Sequence, residues 1–197
     1  MNIVIATSNK GKVKEIENIL RGIPVDVLPV TEFGKMPDVD EDAPDFLGNA
    51  LKKARAVSEL YNVVALADDS GLEVDALDGA PGVLSARYAG PDATDALNNN
   101  KLLEDMADIP EDKRSARFRC TVVLYHPDGQ WISADGVCEG MIALEPKGDN
   151  GFGYDPLFFL PDLGKTMAEL APDQKNLLSH RYNALIKLKD KLMDFLL

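Results

Sequence analysis

Residues 63–74 read VVALADDSGLEV. An apolar run, Val63 to Ala67, meets two adjacent carboxylates, Asp68 and Asp69, followed by Ser70 and Gly71. The run predicts a buried strand that stops at the doublet, because Asp, Ser and Gly are turn formers. Two readings of the doublet stand side by side here. It is a plain turn, or it is a carboxylate pair that holds a hard cation such as Mg²⁺ and orients a water. Like charges this close repel unless something positive offsets them.

Working outward, Asn2 to Ala6 reads as a buried strand, and Val13, Ile16, Ile19 and Leu20 have helical spacing within Lys10 to Leu20. Val25 to Val30 reads as a second strand, and residues 31–45 as an acidic, proline-bearing loop. Phe46 to Tyr61 has the apolar stripe of an amphipathic helix. Beyond the doublet, the Gly-rich stretch to Gly90 predicts loop with short strands. A helix is expected over Asp92 to Ala107, and strands over Arg117 to His126 and Trp131 to Leu144. These two strands are joined at His126-Pro-Asp-Gly, a hairpin signal. Residues 148–156 read as loop, with a short helix near Thr166 and a final helix over about Ser179 to Phe195.

Strands and helices mix without strict alternation. This predicts an α/β fold with a mixed central sheet flanked by helices. One domain over residues 1–197 is expected, in two lobes, with the hairpin near residue 128 in the second lobe and an active-site cleft between them.

Composition narrows the function. The net charge of −12 argues against a nucleic-acid polymer as partner, since that needs a basic face. No apolar run approaches about 18 residues, so no membrane span is expected. The start, MNIVIATSNKGK, lacks a signal peptide's basic flank and apolar stretch. Cys120 and Cys138 show no metal-ligand spacing and read as buried, reduced thiols of a cytoplasmic protein.

Five further stretches carry candidate chemistry. ATSNKGK (6–12) lies between a strand and a helix, where backbone N–H groups favour an anion. Ser8 or Asn9 can cap that helix, and Lys10 and Lys12 supply charge for phosphates; the Walker A spacing is absent. DVDEDAPD (38–45) can hold a metal ligand, but spacing does not choose which, and Lys52 and Lys53 read as a solvent-facing pair. GFGYDP (151–156) offers glycines for close backbone approach and two aromatic faces for a base. Lys175, Ser179, His180 and Arg181 offer a helix cap and polar contacts; no zinc site and no Ser-His-Asp triad is supported.

Taken in order, ATSNKGKVKEI (6–16), DFLGNALKKA (45–54), ADDSGLEVDALDGAPGVLSARYAG (67–90), GFGYDPLFF (151–159) and KNLLSHR (175–181) form a pattern. It resembles the inosine triphosphate pyrophosphatase family, from Ile3 to about Leu188. These are nucleotide pyrophosphohydrolases that clear non-standard purine nucleoside triphosphates (ITP, dITP and XTP).

The resemblance implies Mg²⁺-dependent attack of water at the α-phosphate, giving the nucleoside monophosphate and pyrophosphate. It implies Asp69 as the catalytic carboxylate and metal ligand, with Glu41 and Asp40 as acidic-loop ligands. Thr7, Ser8, Asn9, Lys10, Gly11 and Lys12 would cradle the triphosphate, Lys53 would meet phosphate charge, and Ser70 would touch substrate. Phe152, Gly153, Tyr154 and Asp155, with Lys175, His180 and Arg181, would form the base pocket. A homodimer is implied on the same ground. Where many members read TFxENAxxKA, this chain has Asp45 and Gly48 in place of Thr and Glu. The competing readings are a pyrophosphohydrolase for another modified nucleotide and a nucleotide-binding regulatory module.

Overall fold

The computed structural model describes residues 2–21 and 25–196. In chain order its elements are β1 (Asn2–Ile5), α1 (Lys10–Ile19), β2 (Asp26–Pro29), α2 (Phe46–Tyr61), β3 (Val64–Val74), α3 (Asp95–Asp105), β4 (Ser115–Tyr125), β5 (Trp131–Ile142), β6 (Phe158–Leu160), β7 (Lys165–Thr166), α4 (Pro172–Leu178) and α5 (His180–Leu196). The strands form a seven-stranded sheet in the order β2-β1-β3-β4-β5-β6-β7. β1 runs parallel to β2 and β3, whereas β5, β6 and β7 pair antiparallel. The sheet is therefore mixed, as the sequence predicts.

By its internal contacts the chain falls into two compact units. The first comprises Met1–Asp69, Cys120–Gly136 and Arg181–Leu197, and the second Ser70–Arg119 and Val137–His180. In the first, alternate strand residues feed two cores. Ile3, Ile5, Val64, Leu66, Val122 and Leu124 pack with Ile16 of α1 and with Leu185 and Leu188 of α5. Val4, Ala65, Ala67 and Val123 pack with Ala50, Ala54 and Val57 of α2. This period-of-two sorting places helices on opposite faces of the strands. The second unit has one core, in which Leu72, Val74, Phe118, Tyr154, Phe158 and Met167 take part.

Three expectations change. β3 does not stop at the doublet but continues through Asp68, Asp69, Ser70 and Gly71 to Val74. It lies between β1 and β4 in the sheet, and a two-sided ladder outweighs local turn propensity. The hairpin tip near residue 128 belongs to the first unit, because Cys120–Gly136 packs with the N-terminal strands. α4 (PDQKNLL) was not expected; seven residues are too few to display a helical period.

Candidate active site

Strand alternation takes the doublet apart. Val64 and Leu66 face the α1/α5 core, and Ala65 and Ala67 face the α2 core. By the same period Asp68 points toward α1 and α5, and Asp69 toward α2. The two like charges are neighbours in sequence on opposite faces of one strand.

On the α2 side, Asp69 Oδ1 accepts a hydrogen bond from Lys53 Nζ at 2.8 Å, and Oδ2 accepts from Asn49 Nδ2 at 3.3 Å. Lys53 Nζ also donates to Glu41 Oε2 at 2.9 Å. Asn49 and Lys53 are one helical turn apart on α2, so both reach the strand. Burial, together with the Glu41 charge, pushes the Asp69 carboxyl up, against the pull of Lys53 and Lys12. For Glu41, burial opposes ionisation but the Lys53 ammonium prevails and lowers its pKa. Lys53 is likewise resisted by burial, yet Asp69, Asp68 and Glu41 hold it as an ammonium.

The acidic loop is tied to this set through its backbone, for Asn49 Oδ1 accepts from Ala43 N at 3.0 Å. Asp45 is the N-cap of α2, its carboxylate accepting from Gly48 N at 2.8 Å. Asp replaces Thr there without loss of the cap, since both side chains suit that position. A Cβ on Gly48 would stand 2.6 Å from the Ala43 Cβ, so the second departure fits a loop packed close against the helix start.

On the other face, Asp68 is 2% exposed. Its Oδ2 lies 3.0 Å from Lys12 Nζ and accepts from Arg181 Nη2 at 3.0 Å and Nε at 3.2 Å. Arg181 Nη1 donates to Glu15 Oε2. Burial alone would raise the Asp68 carboxyl, but Lys12, Arg181 and Lys53 hold it well below the usual carboxylate range. Arg181, 1% exposed, is held charged by Asp68 and Glu15. Ahead of α1, the cap is Asn9 rather than Ser8: its Oδ1 accepts from Gly11 N at 2.9 Å and Lys12 N at 3.1 Å. Thr7 Oγ1 in turn accepts from Asn9 N at 3.2 Å. Ser8 and Lys10 are exposed beside them.

In the second unit, the GFGYDP loop is organised around Asp155. Asp155 Oδ2 accepts from Phe152 N at 2.8 Å and from Lys175 Nζ at 2.6 Å. The Lys175 ammonium also sits 4.6 Å from the centroid of the Phe152 ring, a cation–π contact. Gly151 has φ +80°, and a Cβ there would fall 2.0 Å from Asp155 Oδ2, so this turn excludes any other residue. Tyr154 is buried with its hydroxyl donating to Ser85 O at 2.8 Å. His180 stacks on Phe118 with ring centroids 4.9 Å apart.

The chain from residue 3 to 191 matches the model of the Ham1 family. It belongs to that family. A dITP/XTP pyrophosphatase of Desulforamulus reducens is 51% identical over 187 residues, 95% of this chain and 93% of its own. One of Geobacter sulfurreducens is 50% identical over 190 residues, 96% of each chain. Among solved structures, a HAM1 protein from Coxiella burnetii superimposes with a TM-score of 0.89 at 43% identity, covering 98% of this chain and 99% of its own. The Staphylococcus aureus Ham1 protein gives 0.87 at 40% identity with the same coverage.

Within this Ham1 chain the residues singled out in the sequence fall into three groups. Glu41, Lys53 and Asp69 meet on the α2 face, Lys12 and Arg181 meet on Asp68, and Phe152, Asp155 and Lys175 meet in the second unit. Arg181, expected at the base, is engaged by Asp68 and Glu15. Lys53 is buried rather than solvent-facing, whereas Lys52 is more exposed and donates to Asp40 O and to the Asp42 carboxylate. Asp40 is exposed, with its carbonyl rather than its carboxylate held by Lys52. Ser70 is half-buried on β3. Glu15 and Asn49 received no role from the sequence. Helical spacing carried a signal for both: Glu15 is three residues past Lys12, and Asn49 four before Lys53.

Proposed function

We propose that this chain hydrolyses non-standard purine nucleoside triphosphates (ITP, dITP and XTP) to the monophosphate and pyrophosphate. The observation that carries the chemistry is the Glu41–Lys53–Asp69 set, in which one ammonium spans two carboxylates at 2.9 and 2.8 Å. The names of the relatives, dITP/XTP pyrophosphatases, support the substrate class.

The donor set fits Mg²⁺. Among the described residues no group of three or more His, Cys, Asp and Glu is arranged to hold a metal alone. Mg²⁺ is usually held by one or two carboxylates completed by water and substrate phosphates. Glu41 and Asp69 supply hard oxygen ligands of that kind, with Asp40 in the same loop as a further candidate. Bound there, the ion would neutralise phosphate charge and relieve the repulsion between the two carboxylates.

Asp69 orients the attacking water and takes its proton as the water oxygen bonds to the α-phosphorus. The bond from that phosphorus to the bridging oxygen breaks, and pyrophosphate leaves with the electron pair. Lys53, Lys12 and Lys10, with the backbone and hydroxyls of Thr7 to Lys12, meet the polyphosphate, and Ser70 contacts it beside Asp69. Asp68, locked by Lys12 and Arg181, positions Lys12. The purine is assigned to Phe152, Gly153, Tyr154, Asp155, Lys175, His180 and Arg181. Lys175 has only donors and His180 can donate, which suits the C6 oxygen of hypoxanthine and xanthine and opposes the amino group of adenine. A homodimer and a cytoplasmic location belong to the same reading, supported by the family likeness; light scattering after size exclusion tests the dimer.

The deciding experiment is a nucleotide panel with Mg²⁺, with pyrophosphate and orthophosphate detected separately. Pyrophosphate release is expected, fastest with ITP, dITP and XTP and slow with ATP and GTP. Orthophosphate as first product, or a modified pyrimidine as the best substrate, would sink this reading.

A further inference from the structure

α3 reads DALNNNKLLED, with three consecutive asparagines in its middle. Asparagine is a poor interior helix residue, because its amide competes for backbone groups. Two of the three spend that capacity outside the helix. Asn98 Oδ1 accepts from Ala89 N at 2.8 Å, and its Nδ2 donates to Ala86 O at 3.2 Å. Asn99 Nδ2 donates to Gly153 O at 2.9 Å. One turn earlier on the same face, Asp95 Oδ2 accepts from Gly153 N at 2.7 Å. Both backbone polar groups of Gly153 are thus held by side chains of α3.

Gly153 has φ +62° and lies between Phe152 and Tyr154. Its neighbours are pinned from other directions: Phe152 by Asp155 and Lys175, Tyr154 by Ser85 O. Without the α3 bonds, the peptides on either side of Gly153 would depend on a residue that tolerates many conformations. A loop ordered before binding does not charge its ordering entropy to the ligand.

We infer that Asp95 and Asn99 are positioning residues for purine recognition: they clamp Gly153 so that the Phe152 ring and the Lys175 ammonium present a fixed face to the base. This rests on the assignment of the GFGYDP loop to the base. The clamp touches neither phosphate nor reacting atoms, so its effect belongs in base binding and not in turnover.

The test compares Asp95→Ala and Asn99→Ala with Asp95→Asn, which keeps an acceptor for Gly153 N–H, and with Phe152→Ala. For each, KM and kcat with ITP are measured, together with inhibition constants for IMP, which carries the base, and for pyrophosphate, which does not. The alanine variants should raise KM for ITP and Ki for IMP by about three- to tenfold, the worth of one hydrogen bond. Their kcat and pyrophosphate Ki should stay within about twofold, and Asp95→Asn should recover most of the loss. Asp95 is exposed, so its variants carry the test even if Asn99→Ala folds poorly. An equal rise in both inhibition constants, or an unchanged IMP constant where Phe152→Ala raises it, would overturn the clamp alone. If Phe152→Ala also left IMP binding unchanged, the base assignment would fall and the clamp with it.

Discussion

Asp68 and Asp69 are the same residue type, joined by one peptide bond, and the fold gives them opposite surroundings. The α1/α5 face surrounds Asp68 with Lys12 and Arg181 and drives its pKa far down. The α2 face gives Asp69 one ammonium shared with a second carboxylate, and its pKa rises. A carboxylate saturated with cations is a poor base and a firm strut. One short of cations has reason to recruit a further one. The difference comes from the two-residue period of a strand, which hands consecutive side chains to different helices.

That contrast breaks most sharply in turnover. Asp69→Asn keeps the shape and removes the charge, so kcat should fall by about 10²–10⁴-fold in a protein that still folds. Turnover within a few-fold of the parent would remove Asp69 from the mechanism.

Stability is where Asp68 should dominate. Asp68→Asn leaves Lys12 and Arg181 short of a buried partner and should cost about 3–5 kcal/mol at neutral pH, read by urea unfolding of metal-free protein. The pH dependence has a definite sign. A carboxyl whose folded pKa is depressed contributes stability above its unfolded value near 3.8, and that contribution is lost as pH falls through the folded value. The gap between parent and variant should therefore be full at pH 7 and shrink on acidification below about pH 4. A gap that stayed constant with pH would show that Asp68 acts by packing and not by charge.

The smallest expected effects distinguish the two lysines from Asp69. Lys12→Ala and Lys53→Ala should raise KM more than Asp69→Asn does, because both are proposed to bind phosphate charge in ground state and transition state alike. A fall in kcat alone, for either variant, would place that lysine at the reacting phosphate.

Much of this was legible in the chain. Apolar periodicity located α2 and α5 to within about a residue. The motif order pointed to the nucleotide pyrophosphatase family, as the named relatives bear out. Legibility failed where a long-range pairing overruled a local preference. ADDSG is turn-like in isolation, but inside the sheet it is the middle of an eleven-residue strand. Arg181 carries five donors in any context, and nothing nearby in sequence says they will be spent on Asp68 and Glu15, more than a hundred positions away.

Residue chemistry and spacing were enough to name the candidates: a carboxylate pair, lysines in the first turn of a helix, a glycine-flanked aromatic, a basic residue after it. These are local properties, set by side-chain type and by repeats of two or 3.6 residues. Which carboxylate is saturated with cations and which shares a single ammonium was decided only by tertiary structure. That choice depends on how many cations lie within a few ångströms of each in a desolvated interior, where Coulomb energies are large. The cations arrive from α1, α2 and α5, and only the folded sheet brings those helices to opposite sides of β3.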